Sequence, residues 1–248
     1  MTIMITTVLP YQKLSLIYDQ VMEQVNYKKW AKYVVKLLKF SDIPVRCLLD
    51  ASCGTGSLKA NISSRRYQVY CSDLSVEMIK AGLDKNVLNR KNTIVSSIEN
   101  LAWREGQFDA LLFLYDSINY IATEEGILKT LNEMRRVVKP SGLIIFDAVT
   151  PLHCLTYFKD YHENAFWNEV GYNRHSYYIQ EERSQINEFE IIIGNKKYYE
   201  HHRQIIYSKE ELMDLCHSAG LNLFAVFDDF SFHEANDESE RIHFVCTR

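Results

Sequence analysis

The stretch that most constrains the fold is LLDASCGTGSL, Leu48 to Leu58. A short apolar run ends in an acid, Asp50, and Gly54 and Gly56 follow closely. Uninterrupted apolar residues suit a strand covered on both faces. Paired glycines mark a backbone that must bend and come close to something. The segment therefore reads as a buried strand turning sharply into a helix. In an open parallel sheet, ligands bind outside the carboxyl ends of the strands, over the first such turn. The expected ligand there is a nucleoside.

The flanking sequence carries the rhythm of such a sheet. Apolar positions at helical spacing predict a helix from Tyr11 to Val25, with Leu14, Ile17, Tyr18, Val21 and Met22 on its face, and a second from Tyr27 to Phe40. Strands are expected at Val45 to Leu49, Tyr67 to Cys71, Thr93 to Val95, Phe108 to Leu114 and Gly142 to Asp147. Helices fall between them, at Gly56 to Ser64, from Ser75, and from Thr123 to Val138, the last stopped by Pro140 and Gly142. Beyond Thr150 the pattern becomes antiparallel, with runs Arg174 to Gln180, Gln185 to Ile193 and Lys197 to Tyr207, and a hairpin at Gly194 and Asn195. Ser208 and Glu211 form a capping box that reopens the α/β pattern, and strands Leu221 to Phe227 and Arg241 to Thr247 follow. The expected architecture is α/β: a doubly wound, Rossmann-like, mostly parallel seven-stranded sheet built from residues 1–150 and 208–248. Residues 151–207 form an antiparallel insertion, a lid over the site.

Charge and cysteine use narrow the function. Against 28 Lys plus Arg stand 32 Asp plus Glu, a net charge of −4, so no polyanionic partner such as a nucleic acid is expected. The opening MTIMITTVL has no basic leader, and no apolar run reaches membrane length, which predicts a cytoplasmic protein with no membrane partner. The six cysteines show no metal-type spacing, fitting a reduced compartment and no metal. His201 and His202, adjacent on a strand, point to opposite faces and cannot share an ion.

Three features converge at the carboxyl edge. Asp73 ends the second strand, where a carboxylate can accept from both hydroxyls of a ribose lying over the glycine turn. Ser97 with Ile98, and Leu114 with Tyr115, end the next two strands and should flank an adenine. A dinucleotide fits poorly: its fingerprint needs a third glycine where Lys59 stands, and Asp50 would repel a pyrophosphate. The same acid suits an ammonium, which moves the expected ligand to S-adenosylmethionine.

At these residues the chain resembles the class I S-adenosylmethionine-dependent methyltransferases. Their acid-x-Gly-x-Gly-x-Gly pattern stands here as Asp50 to Gly56, with Ser52 in place of the first glycine. DLSVEMIKAG, from Asp73 to Gly82, is similar to their second motif and brings Leu74 and Met78 to the cofactor; VVKPSGLIIFD resembles the entry to their fifth strand. LIYDQV, NYKKW, LFLYDSINYI, the inserted strands and SERIHFV resemble the branch with glycine N-methyltransferase and the sugar-amine N-methyltransferases. That resemblance implies that Tyr18 and Trp30 close over the cofactor, with Tyr18 near the sulfonium. It places Asp116 beside the acceptor, orienting it or accepting from it, with Tyr115, Asn119 and Tyr120 on the same loop. His202 matches a histidine before the final helix in that branch, as a structural hydrogen bond or an acceptor contact. For Asp116, capping of the next turn is the competing role. The implied product is S-adenosylhomocysteine, the acceptor a small molecule methylated at nitrogen, and the assembly a monomer or homodimer. An RNA or protein methyltransferase, or a non-catalytic S-adenosylmethionine-binding protein, are the alternatives.

Overall fold

The computed structural model describes residues 5–62 and 64–248; Met1 to Met4 of the opening stretch, and Ser63 in the helix expected after the glycine turn, lie outside the described residues. In chain order the strands are β1 (Ile5–Val8), β2 (Cys47–Asp50), β3 (Gln68–Asp73), β4 (Thr93–Val95), β5 (Phe108–Phe113), β6 (Val138–Val149), β7 (Asp160–Trp167), β8 (Val170–Ile179), β9 (Ser184–Ile193), β10 (Lys196–Ile205), β11 (Asn222–Asp228) and β12 (Arg241–Thr247). The helices are α1 (Tyr18–Val21), α2 (Tyr27–Leu37), α3 (Ser57–Asn61), α4 (Val76–Asp84), α5 (Glu124–Val137), α6 (Pro151–Tyr157) and α7 (Lys209–Ser218).

Seven strands form one sheet in the order β11-β12-β6-β5-β2-β3-β4. Only β12 runs antiparallel to its neighbours, so the sheet is mostly parallel, as expected of a Rossmann-like fold. Its central strands are apolar on both faces because both are covered. Leu49, Leu111, Ile144 and Phe244 pack with Leu131 and Met134 of α5 and Leu212 of α7, while Leu48, Leu112, Ile145 and Val245 pack with Val34 and Leu37 of α2. Neighbouring residues thus feed opposite cores with the period of two that a pleated strand imposes. Each such side chain contributes roughly 1.5–3 kcal/mol by leaving water. Among the described residues no helix is long and apolar enough to cross a membrane.

The second sheet has the order β1-β10-β9-β8-β7. Its inner face carries Tyr172, Phe189 and Ile191, packed with Leu14 and Ile17 of the N-terminal segment. Of the lid tyrosines, Tyr198 packs against this inner cluster, and Tyr178 packs with Val149, Cys154 and Ile206. Tyr177 and Tyr199 point outward, where both hydroxyls donate to Glu188. Strand β7 and the preceding helix α6 were not anticipated, although Thr150 as cap and Pro151 at the first position mark the start of α6.

The helix expected from Tyr11 to Val25 is absent as a continuous element. The chain makes β1, then a 3₁₀ turn at Leu14–Leu16, then the four residues of α1. The cause is Glu200, whose buried carboxylate accepts the backbone N–H groups of Tyr11 (2.7 Å), Lys13 (2.5 Å) and Leu14 (2.9 Å). Those donors would otherwise lie at the start of the helix, and Tyr11 sits at φ 62°, which a helix does not allow.

Candidate active site

The glycine turn leaves β2 and returns to α3 beside the end of β3. Gly54 (φ 54°) donates its N–H to Asp73 Oδ2 at 2.8 Å, and Ser75 donates its N–H to Asp73 Oδ1 at 2.8 Å. Ser75 also caps α4 by accepting from Met78 N at 3.2 Å. Asp73 is thereby fixed between the turn and α4, with one lone pair on each oxygen still available to a ribose hydroxyl. Burial raises its pKa.

The two glycines serve different purposes. A Cβ on Gly54 would meet only Met78 Cε, at 3.2 Å, whereas one on Gly56 (φ 86°) would lie 2.7 Å from Leu88 Cδ2 and 2.8 Å from Val87 Cγ1. Gly56 accordingly makes room for the protein's own loop after α4 and does not line the cavity.

Ser52 occupies the first-glycine position for a reason absent from the motif. Its hydroxyl accepts the N–H of Leu114 (3.2 Å) and donates to the Leu114 carbonyl (3.3 Å), directly beyond the Ala51 N–H to Leu112 O bond of 2.8 Å. A side chain thus continues the β2–β5 ladder past its last backbone pair. Leu114 is engaged through its backbone and lies behind the cavity wall rather than in it.

Asp50 is 2% exposed, and its Oδ2 has no hydrogen-bond partner. Burial, and then the charge of Asp73, push its pKa up to about 7. A buried carboxylate with an orphaned oxygen is costly unless a donor arrives. The amino-acid ammonium of S-adenosylmethionine is such a donor, so Asp50, Asp73 and the bare Cα of Gly54 together fit that cofactor.

These groups open into a cavity of about 640 Å³. Of the residues expected from sequence, Tyr18, Asp50, Ser52, Gly54, Asp73, Leu74, Met78, Ser97, Ile98, Tyr115 and Tyr120 line it. Trp30, Gly56, Leu114, Asp116, Asn119 and His202 do not.

Trp30 is buried behind Tyr115, with ring centroids 4.3 Å apart, and is boxed in by Phe230 and His243. It packs behind the Tyr115 wall and does not line the cavity. Tyr115 and Asp116 follow β5 at φ 61° and 50°, two consecutive left-handed residues without glycine. Such positions cost about 1–3 kcal/mol each and cluster at functional sites.

Asp116 does not cap the next turn. Its Oδ1 lies 2.9 Å from Arg241 Nη2 and its Oδ2 accepts from Gln204 Nε2 at 2.6 Å, so both oxygens are engaged away from the cavity. Arg241 also pairs with the fully buried Asp147, whose pKa burial raises to about 6. Asn119 is fully buried and structural: its amide donates to Ile205 O (2.8 Å) and accepts from Val149 N (3.2 Å), joining the lid to the main sheet.

His202, on the inner face of β10, bonds Tyr120 OH through Nδ1 (3.0 Å) and Glu200 Oε2 through Nε2 (3.1 Å). It stands behind the cavity wall, against Tyr120 and the Tyr11 ring, whose centroid is 4.8 Å from its own. Tyr11 donates to Tyr120 OH at 2.7 Å and itself lines the cavity.

Tyr11, Tyr27 and Glu99 line the cavity without having been expected there. Tyr27 had a signal, since it stands in the NYKKW motif and was passed over for its neighbour Trp30. Tyr11 had none, because its place depends on Glu200, which is remote in sequence.

Comparison with known proteins agrees with this geometry. Residues 49–146, spanning the glycine turn, Asp73 and Tyr115, match the family model described as a methyltransferase domain. That segment is therefore similar to a methyltransferase domain, and it holds the residues that fit S-adenosylmethionine. The chain is 27% identical over 244 residues to YqeM of Bacillus subtilis (strain 168), a protein provisionally named as a methyltransferase, covering 96% of this chain and 97% of the relative. Identity to the glycine/sarcosine N-methyltransferase of Aphanothece halophytica is 25% over 228 residues, covering 86% of this chain and 79% of the relative. An S-adenosylmethionine-dependent methyltransferase from Clostridium acetobutylicum ATCC 824 shares the fold at TM-score 0.78 and 24% identity, over 96% of this chain and 98% of that one. CalS10 of Micromonospora echinaspora, an amino pentose methyltransferase solved with S-adenosylmethionine bound, shares it at TM-score 0.72 and 17% identity, over 94% and 96%.

Proposed function

We propose that the chain transfers a methyl group from S-adenosylmethionine to a neutral nitrogen of a small acceptor held between the glycine turn and the N-terminal segment that carries Tyr11 and Tyr18. The observation that carries this reading is the chemistry of the cavity wall. Asp50, Asp73, Glu77, Glu99 and five tyrosines line it, and among the described residues no lysine, arginine or histidine does. A carboxylate or phosphate acceptor would enter against like charge, whereas an amine would not. The amino pentose in the name of CalS10, an amine without a carboxylate, supports the same class.

When bound, the cofactor supplies an activated methyl on a sulfonium. The chain's task is to bind, orient and exclude water. Asp50 holds the ammonium end and Asp73 the ribose, while Ser97 and Ile98 stand at the adenine. Orientation of this kind supplies roughly 7–11 kcal/mol of barrier reduction when geometry is good. Aromatic faces such as Tyr18 and Tyr115 add about 0.5–2 kcal/mol toward a cation. Burial raises the pKa values of Tyr11, Tyr18 and Tyr120 above the ordinary tyrosine range, so these hydroxyls stay protonated and act as hydrogen-bond partners, not bases. The acceptor amine must then arrive neutral and lose its proton to water after transfer. Asp116, engaged by Arg241 and Gln204, positions the Tyr115 loop.

The test is a screen of amines, amino acids and amino sugars for formation of S-adenosylhomocysteine, alongside calorimetric binding of S-adenosylhomocysteine to wild type and Asp73→Ala. Turnover with an amine, and binding lost in the variant, is the expected result. Salt-dependent methylation of RNA, or tight cofactor binding with no turnover on any acceptor, overturns it.

A further inference from the structure

We propose that the outer face of the lid sheet carries a site for a divalent transition-metal ion of zinc's class, formed by Asp160, His162 and His175. The site lies on the face away from the cavity and is independent of methyl transfer. His162 on β7 stands directly opposite His175 on β8, and Asp160 lies one pleat further along the same face. The two imidazole rings are parallel, 4.2 Å between centroids and 4° between planes. His175 Nε2 hydrogen-bonds Asp160 Oδ1 at 2.9 Å, and His162 Nε2 lies 3.3 Å from the same oxygen. All three ligand atoms lie within 4.8 Å of one another. Around a tetrahedral ion with nitrogen and oxygen ligands at about 2.0–2.1 Å, neighbouring ligand atoms are spaced roughly 3.3 Å apart. To enclose one, the two imidazoles must tilt out of their parallel stack so that both Nε2 lone pairs converge on the ion.

A second, outer layer is already in place. Nδ1 of His175 faces Glu188 Oε2 at 3.8 Å, while the other Glu188 oxygen accepts Tyr199 OH at 2.6 Å and Tyr177 OH at 3.5 Å. A metal-ligating histidine nearly always donates its second ring N–H to a carboxylate, which fixes the ring and raises its basicity. Glu188, braced by two tyrosines, is placed for that task. Two imidazoles and one carboxylate favour zinc, cobalt, nickel or copper over calcium or magnesium, which prefer oxygen-only shells. Asp160 and His162 are 73% and 67% exposed, so the remaining coordination position opens to water. Sequence could not reveal this cluster, because His162 lies on a strand without signal and meets His175 only through the β7–β8 pairing.

Titration of the full chain with zinc chloride by calorimetry, and with cobalt(II) by visible absorption, tests the proposal. Wild type is expected to take up one equivalent, with a cobalt band of three protein ligands plus water. The His162→Ala/His175→Ala double variant should lose this uptake, and Glu188→Gln should weaken it about 10–100-fold. All three proteins should bind S-adenosylhomocysteine equally, which verifies their folding independently of the metal. Equal zinc affinity in wild type and the double variant overturns the site.

Discussion

Replacing Asp50 by asparagine should raise stability and lower cofactor affinity, and the size of the first effect follows from burial. The carboxyl of Asp50 is pushed up to about 7 by desolvation and then by Asp73. In the unfolded chain its value is about 3.9. Between about pH 4 and 7 the native protein therefore holds a proton that the unfolded chain has released. Stability falls with rising pH across that window, by about 1.4 kcal/mol per pH unit and about 4 kcal/mol in all. Asp50→Asn has no such proton to release. Urea unfolding of both proteins at pH 5 and pH 8 isolates the group, because the other titrations cancel in the difference. The stability of the variant relative to wild type should increase by about 3 kcal/mol from the lower to the higher pH. The same variant should bind S-adenosylhomocysteine at pH 8 about 30-fold more weakly or worse, since one partner of a buried charge pair is gone. A pH-dependent gain below about 1 kcal/mol would refute the burial argument.

Gly56→Ala places a methyl against Leu88 and Val87 at a left-handed φ, and should lower stability by about 2–4 kcal/mol in urea unfolding, with Gly54→Ala costing less. Glu200→Gln replaces one of two oxygens, Oε1 facing Lys13 and Leu14 or Oε2 facing Tyr11 and His202, by an amide that cannot accept, and should cost about 2–3 kcal/mol and speed proteolytic cleavage between Ile5 and Leu16; unchanged cleavage would deny Glu200 its hold on that segment. Asp116→Asn breaks the contact with Arg241 and should lower Tm while leaving kcat within a few-fold; a drop beyond about 100-fold, or about 2.7 kcal/mol, would return Asp116 to the reaction itself.

The main sheet was legible because each of its signals is local. Alternating cores, the Thr123 and Ser208 caps and the glycine turn are decided within a few residues, and the structure places them within a residue or two of expectation. Asp50 and Asp73 were legible for the same reason, each ending a strand beside the turn. What sequence could not reveal depends on partners far along the chain. The amphipathic spacing of Tyr11 to Val25 is real, but Glu200 captures its N–H groups and breaks the helix. Trp30 has the composition of a cofactor residue, yet Tyr115 adopts a left-handed turn in front of it. Ser52 was visible as a departure from a motif, while its reason, the backbone of Leu114, belongs to another strand. Strand β7 is half exposed along its length, so no apolar run announces it.

Pairing of Ile5–Val8 with Lys197 to Glu200 also sets an order of events during synthesis. At about 5–20 residues per second, the N-terminal segment waits roughly 10–40 s for the strand that will hold it. Over that interval the glycine turn, Asp50 and Asp73 can already assemble with β2, β3 and α4, but the Tyr11 wall of the cavity cannot. A nascent chain halted before Lys196 would lack the Glu200 carboxylate that anchors the N–H groups of Tyr11, Lys13 and Leu14, leaving the cofactor shelf open on that side. Closure of the cavity thus becomes a timestamp, since its Tyr11 wall is anchored only once the ribosome has delivered Glu200.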